Sequence, residues 1–150
     1  MITLACPTAD DTRSLGRRLA SLLGPGDVVL LAGPLGAGKT VMAGGIAEGL
    51  GVEEPVVSPS FVLARVYRGL VPLIHADLYR LGSLAEVEDL DLATDAADGV
   101  LLVEWGDVAE QQFVTDHLLV RLEPGEDDLR TVTVVPKGAW RSRSLEVLGA

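Results

Sequence analysis

The amino-acid sequence predicts an α/β fold built around a mixed β-sheet. Apolar runs of strand length alternate with helical patterns in the first third of the chain, and strand-like segments come in pairs further on. Gly and Pro residues that favour turns separate these elements. The length of 150 residues fits one domain, predicted over 1–150, and the 48% apolar content favours a compact core over disorder.

The first third of the chain contains two predicted strands and two predicted helices. They lie at 2–5, 9–23, 28–32 and 39–50. Thr8 is placed as an N-cap, and Leu15, Leu19 and Leu22 then follow at helical spacing on one face. A Gly-Pro-Gly turn ends this first helix. The second strand, VVLLA, has the composition of a buried parallel strand.

The rest of the chain contains five predicted strands and an acidic helix. The strands lie at 61–67, 71–77, 100–104, 117–123 and 130–135. A turn at 68–69 joins the first two, and residues 124–125 begin the loop between the last two. Ser83 and Glu86 have capping-box spacing, so we expect the acidic helix to begin there.

The charge is distributed unevenly. The chain has 12 Lys and Arg against 22 Asp and Glu, which gives a net charge of −10. Ten acidic residues but no Lys or Arg lie between Arg80 and Arg121. This balance disfavours autonomous binding to a nucleic-acid backbone, which attracts clustered positive charge. We interpret the acidic segment 81–120 as either a solvated face or a docking surface for a basic partner.

Composition also excludes several function classes. Cys6 is the single cysteine, so an internal disulfide and a cysteine-based metal cluster are both excluded. No apolar run reaches the ~20 residues of a membrane span, and the first residues lack the pattern of a signal peptide. We therefore expect a cytoplasmic protein.

The segment GPLGAGKT matches the phosphate-binding pattern G-x-x-x-x-G-K-[ST], with a strand before it and a helix after it. Its glycines let backbone N–H groups point at phosphate oxygens, and the helix N-terminus adds the positive end of its dipole. Lys39 would reach the β- and γ-phosphates, and Thr40 would ligate Mg²⁺. The pattern predicts a P-loop NTPase-like three-layer sandwich with a central mixed, mostly parallel sheet. The predicted nucleotide contacts in this segment are Gly33, Leu35, Gly36, Ala37, Gly38, Lys39 and Thr40.

A P-loop site needs a carboxylate near Mg²⁺, usually at the end of an apolar strand. Asp77 ends one predicted strand, and Glu104 ends another. One carboxylate would orient the metal's water shell, and the other would orient or deprotonate the attacking water. The sequence leaves open which of the two lies nearer the metal.

A Ser-Pro-Ser-Phe segment lies between the P-loop helix and the next strand. It consists of Ser58, Pro59, Ser60 and Phe61. Its hydroxyls could sense a γ-phosphate, as switch segments do, although such a segment is more often an ordinary turn.

Two other polar residues allow two interpretations each. His75 lies two residues before Asp77, so both side chains face the same side of a strand, but a lone His on an apolar strand is more often a core residue than a ligand. Thr12, in the first helix, could reach a nucleotide only if that helix packs over the site.

The ordered set GPLGAGKT, SPSF, HADLYRL and VEWGD resembles the TsaE (YjeE) family of small P-loop ATPases. The resemblance covers roughly residues 8–140, and Ser60 departs from it, since the family usually has Thr there. It implies ATP and Mg²⁺ as cofactors. It also implies that Thr40 and Glu104 lie at the magnesium with Asp77 close by, and that Glu104 and Lys39 are catalytic. Further site residues implied by the resemblance are Thr12, Trp105 and Arg130 as nucleotide contacts, with Tyr79, Arg80 and Asp107 beside them.

The resemblance further implies a role in tRNA modification. Members of this family support the proteins TsaD and TsaB, and TsaD transfers the threonylcarbamoyl group that forms N6-threonylcarbamoyladenosine at position 37 of tRNAs reading codons that begin with A. Turnover would be weak without these partners, because an ATPase that drives a partner should be gated by it. Such a protein would meet tRNA only through the complex.

Two alternatives stay open. A small-molecule kinase would use the same P-loop but usually closes a lid that bears arginines, and residues 81–120 contain none. A non-catalytic nucleotide-binding regulatory module is excluded only if Glu104 matters for turnover. A GTPase switch is disfavoured, because the chain has no Asn and therefore lacks an Asn-Lys-x-Asp guanine motif.

Overall fold

The structure is a computed structural model that describes residues 1–34, 36–56, 64–77, 98–104 and 116–149, without the side chains of Ala64 and Asp77. Seven strands, two α-helices and two short 3₁₀-helices lie in this part of the chain. The α-helices and strands are β1 (Ile2–Cys6), α1 (Ala9–Ala20), β2 (Val28–Ala32), α2 (Lys39–Gly49), β3 (Ala64–Tyr67), β4 (Leu73–Asp77), β5 (Val100–Glu104), β6 (His117–Pro124) and β7 (Arg130–Lys137).

The seven strands form one mixed sheet in the order β1-β7-β6-β2-β5-β4-β3. The four central strands β6, β2, β5 and β4 run parallel, whereas β1, β7 and β3 pair antiparallel with their neighbours. The predicted α/β fold with a mixed sheet is confirmed, and its parallel part lies at the centre. Parallel strands are buried on both faces, which explains why β2 and β5 are almost wholly apolar.

Helix α1 begins at the predicted N-cap. The Thr8 hydroxyl accepts a 3.2 Å hydrogen bond from the Asp11 N–H, and the Asp11 carboxylate accepts a 3.0 Å bond from the Thr8 N–H, which completes a capping box. The helix ends at Ala20 rather than at the predicted residue 23. The reason is that the N–H groups of Leu22 and Leu23 bond to carbonyls three residues back, which tightens the chain into turns.

Helices α1 and α2 approach each other closely through glycines. A Cβ added to Gly45 of α2 would lie 2.1 Å from the carbonyl oxygen of Arg13, and a Cβ added to Gly16 of α1 would lie 2.6 Å from that of Met42. Any side chain would therefore push the two backbones apart. This packing holds α1 beside the start of α2, where the Gly-rich loop ends.

Apolar side chains bury both faces of the sheet. One core lies between the sheet and the two helices, and the other lies on the opposite face. The acidic helix predicted from Ser83 lies outside the described residues. None of the helices that the structure describes is long and apolar enough to cross a membrane.

The chain after β7 forms two 3₁₀-helices, Gly138–Ser142 and Glu146–Gly149, which pack onto the core. The Arg143 guanidinium lies 3.9 Å from the ring centroid of the buried Trp140. It also donates hydrogen bonds of 2.8 and 2.9 Å to the carboxylate of Asp27, just before β2. Stacking and a two-pronged ion pair together anchor this segment, for which the sequence predicts no role, to the start of the central strand.

Candidate functional site

The Gly-rich loop joins the end of β2 to the start of α2. Gly36 and Gly38 have φ angles of 81° and 98°, in the left-handed region that favours glycine. Gly33 lies so close to strand β6 that a Cβ there would come within 2.5 Å of the Leu122 carbonyl oxygen. Backbone conformation and close packing therefore require glycine at these three positions.

The N-terminus of α2 suits an anion. The N-cap Gly38 offers no side-chain acceptor, and the first turn of α2 contains no Asp or Glu. The positive end of the helix dipole is therefore not offset by an acidic side chain of α2 itself. Lys39 adds a positive charge at this point, and its Nζ donates to the carbonyl oxygens of Gly33 and Pro34 at 2.6 and 3.1 Å.

Arg130, the first residue of β7, reaches the loop from the other side. Its Nε donates a 2.9 Å hydrogen bond to the Ala37 carbonyl oxygen, and its Nη2 donates a 3.1 Å bond to that of Gly36. Nη1 donates to the carbonyl oxygens of Asp127 and Leu129 in the β6–β7 turn. Arg130 therefore fastens the β6–β7 hairpin to the Gly-rich loop.

Thr12 lies close to Gly38 and Arg130, because α1 packs beside the start of α2. These residues line a small cavity of about 40 Å³. Its lining residues are Ala9, Thr12, Gly38, Val41, Asp128 and Arg130. Thr12 is only 1% exposed. Burial raises the pKa of the Cys6 thiol, and a hydrogen bond with Thr12 partly offsets this rise. Asp128 is a site residue that the sequence did not indicate, since it lies in a turn far from every motif.

Glu104 ends β5 beside the first turn of α2. The residue is only 3% exposed, and its Oε1 accepts a 3.4 Å hydrogen bond from the Thr40 hydroxyl. The two residues predicted to hold a magnesium ion are thus in contact. Asp77 lies directly opposite Glu104 in the register of the parallel strands β4 and β5.

His75 and Glu104 lie on the same face of the sheet, and their side chains are in contact. The His75 side chain is fully buried, and its Nε2 lies 2.5 Å from Oε2 of Glu104. The sequence indicates that His75 and Asp77 share a face, and the structure adds that His75 contacts Glu104, the carboxylate of a different strand. The pairing of β4 with β5 brings the two together, and no local pattern predicts that pairing.

The described residues supply only part of the coordination shell of a magnesium ion. Mg²⁺ prefers oxygen ligands and usually keeps several waters, with one or two carboxylates and substrate phosphates completing its shell. Thr40 and Glu104 supply two oxygens of the right kind. No group of three or more His, Cys, Asp or Glu that could hold a metal occurs in the described ranges. A magnesium ion here would therefore depend on phosphate oxygens and water, as P-loop sites do.

A larger cavity of about 420 Å³ runs from Thr40 along α2. Gly44 and Ala47 line it on the helix, and residues 52–56 line its far side. The cavity thus links the predicted metal ligand Thr40 to the residues just before the predicted switch segment.

Several predicted site residues lie outside the described residues. They are Leu35, Ser58, Pro59, Ser60, Phe61, Tyr79, Arg80, Trp105 and Asp107.

A strand, a Gly-rich loop with Lys-Thr at a helix start, and a carboxylate at the end of the neighbouring parallel strand define a P-loop protein. The family model described as "Threonylcarbamoyl adenosine biosynthesis protein TsaE" matches residues 6–132. The chain belongs to the TsaE family.

Individual relatives agree with this membership. The chain is 47% identical to the tRNA threonylcarbamoyladenosine biosynthesis protein TsaE of Streptomyces coelicolor, over 91% of this chain and 98% of that one. It is 38% identical to the Bacillus subtilis protein of the same name, over 86% and 82% of the two chains. The crystal structure of Bacillus subtilis YdiB superposes with a TM-score of 0.76 at 33% identity, over 91% of this chain and 86% of that one.

Proposed function

We propose that this protein binds and hydrolyses ATP with Mg²⁺, and that its turnover supports TsaD and TsaB in forming threonylcarbamoyladenosine on tRNA. One observation carries the catalytic part of the proposal: the 3.4 Å contact between Thr40, at the start of α2, and the buried Glu104. A hydroxyl and a carboxylate that meet beside a phosphate-binding loop are the protein ligands of a P-loop magnesium site. Work on tRNA within this complex would take place in the cytoplasm.

The proposal assigns a role to each of the site residues. The ammonium of Lys39 would exchange the carbonyls of Gly33 and Pro34 for the β- and γ-phosphates. Thr40 and Glu104 would hold Mg²⁺, with Asp77 beside them, and bound Mg²⁺ would neutralise charge that develops on the phosphates. Glu104 would also orient or deprotonate the attacking water. Arg130 would keep the loop in its binding shape through its bonds to the loop carbonyls.

The test of the catalytic assignment is Glu104→Gln. We expect this variant to keep ATP affinity and to lose turnover, because the carboxylate acts on the transition state. Glu123→Gln is the matched control, since Glu123 is exposed near the end of β6, a parallel strand that β2 separates from β5. Turnover of Glu104→Gln near the wild-type rate would refute the assignment. A wild type that binds ATP but shows no turnover with its partners present would instead favour a non-catalytic nucleotide-binding module.

The fate of the γ-phosphate separates hydrolysis from the kinase alternative. Labelled ATP should release only inorganic phosphate, whereas a small-molecule kinase would transfer the label to a metabolite. We also expect cognate TsaD and TsaB to increase the rate of release. Equal rates with and without these partners would contradict the proposed partnership but not the ATPase activity.

The acidic segment gives the partnership a second test. Glu86, Glu88 and Asp89 lie outside the described residues, and their charge is the basis for proposing that the segment docks a basic partner surface. Reversing all three to Lys should weaken complex formation in a salt-dependent way and leave ATP affinity unchanged. Unaltered partner binding would leave the segment as a solvated face.

A further inference from the structure

The buried pair His75–Glu104 is a polar contact that links the strand β4 to the candidate site. His75 lies opposite Leu102 in the β4–β5 register, and Leu102 comes two residues before Glu104 in β5. The His75 ring is completely excluded from solvent, and its Nε2 lies 2.5 Å from Oε2 of Glu104. Such a contact between two side chains in a dry core is strong because little water screens it.

Both oxygens of Glu104 have a partner in the described residues. Oε1 accepts from the Thr40 hydroxyl, and Oε2 meets His75 Nε2. In the proposed function Glu104 acts as a carboxylate, which has no hydrogen to donate, so the hydrogen of this contact would then lie on Nε2. Nδ1 of His75 has no hydrogen-bond partner within the part of the chain that the structure describes. The only polar contact of His75 there is therefore the one with Glu104.

We infer that His75 is a positioning residue that fixes the orientation of the Glu104 carboxylate toward Thr40. The inference rests on the proposed function, in which that carboxylate serves magnesium and water. The Glu side chain turns about three single bonds, so one contact to Thr40 leaves it free to swing. A second donor from the adjacent strand fixes the plane of the carboxylate, because His75 is itself held by the sheet. Residues that orient metal ligands in this way have measurable effects on function.

A merely structural His75 would behave differently on substitution. If the ring only fills space, then loss of its donor lowers stability and leaves turnover intact in the molecules that fold. If it positions Glu104, then turnover falls while ATP affinity stays the same. A substitute that restores a donor at the same reach should then restore turnover. Glutamine places an amide N–H about as far from the backbone as His Nε2, and leucine offers no donor.

The experiment measures kcat for ATP hydrolysis and Kd for ATP with the partner proteins present, for wild type, His75→Leu, His75→Gln and Glu104→Gln. We expect His75→Leu to lower kcat about 10- to 100-fold with an unchanged Kd, and His75→Gln to recover most of the rate. His117→Leu is the matched control, because His117 is buried at the opposite end of the parallel strands and should leave kcat unchanged. Wild-type turnover of His75→Leu would overturn the inference. If His75→Leu does not fold, then His75→Phe replaces it, since it keeps a ring but has no donor.

A second readout does not depend on turnover. The ¹⁵N resonances of the imidazoles report which ring nitrogen carries the proton, and the chain has only two His residues, so the signals lost in His75→Gln assign His75. We expect the proton on Nε2, and we expect Glu104→Ala to shift these resonances. A proton on Nδ1 with a bare Nε2 would overturn the pairing. An inactive wild type that shows the expected resonances would instead refute the ATPase proposal and leave the pairing intact.

Discussion

Arg130 donates a 2.9 Å hydrogen bond from its Nε to the carbonyl oxygen of Ala37, in the middle of the Gly-rich loop. The strand β7, second from one edge of the sheet, thus supports the loop that follows the central strand β2. The resemblance to TsaE implies that Arg130 contacts the nucleotide. In the structure its guanidinium is occupied with loop and turn carbonyls, so its effect on a nucleotide would act through the shape of the loop.

The first prediction concerns this support. We expect Arg130→Ala to weaken ATP binding about tenfold, because a hydrogen bond from a charged donor contributes about 1.5–3 kcal/mol. Arg130→Lys should recover only part of the affinity, since an ammonium cannot reproduce the fork that reaches two carbonyls. Titration calorimetry would measure both. Arg121→Ala, an exposed arginine of β6, serves as the control, and a similar loss in both variants would contradict the role of Arg130.

The second prediction concerns the ammonium at the loop. Lys39→Ala should weaken ATP binding about 10- to 100-fold, the range expected for loss of a charge-assisted contact. Lys137→Ala, the other lysine of the chain, should leave binding unchanged. Fluorescence titration with an ATP analogue would compare the two. Unchanged affinity of Lys39→Ala would count against the whole P-loop interpretation.

The third prediction separates two adjacent glycines of α2. A Cβ on Gly45 would lie 2.1 Å from the Arg13 carbonyl oxygen, whereas a Cβ on Gly44 meets nothing within 4 Å. We expect Gly45→Ala to lower the free energy of unfolding by about 1–3 kcal/mol through overpacking. Gly44→Ala should raise it by up to about 1 kcal/mol through helix propensity. Denaturant unfolding measures both, and a loss of equal size in the two variants would mean that the close helix contact is absent.

The fourth prediction concerns pH. Hydrogen bonds from Arg17 and Arg13 hold the pKa of Glu48 below its usual value of 4.5. A lowered pKa in the folded state adds stability above the usual value, and this stability is lost as the pH falls through the folded pKa. Wild type should therefore exceed Glu48→Gln in stability at neutral pH, and the difference should shrink as the pH falls below 4.5. The effect is small because these side chains are exposed.

Thermal unfolding of wild type and Glu48→Gln from neutral to acidic pH would measure this difference. Added salt should reduce it at neutral pH, since salt screens exposed charges. A difference that grows as the pH falls would contradict the assignment of the ion pairs.

Local patterns were enough to predict the central part of this fold. The apolar runs of β2 and β5 start and end where the sequence predicts, and Thr8 caps α1 as expected. The relations across the sheet could not be predicted, because strand order and register follow from packing of the whole chain. The contacts of His75 with Glu104 and of Arg130 with Ala37 depend on that order. The sequence therefore indicated His75 and Arg130 as candidate residues but could not indicate which residues they contact.

The pairing of β1 with β7 also has a consequence for biosynthesis. Ile2 lies opposite Val134, so β1 can pair with β7 only after the five described strands that lie between them in the sequence have been made. Contacts between residues so far apart in sequence close slowly. Arg130 belongs to the same late strand. The Gly-rich loop therefore gains the support of Arg130 only after β7 has been made, and the proposed binding of nucleotide would report that β7 is in place.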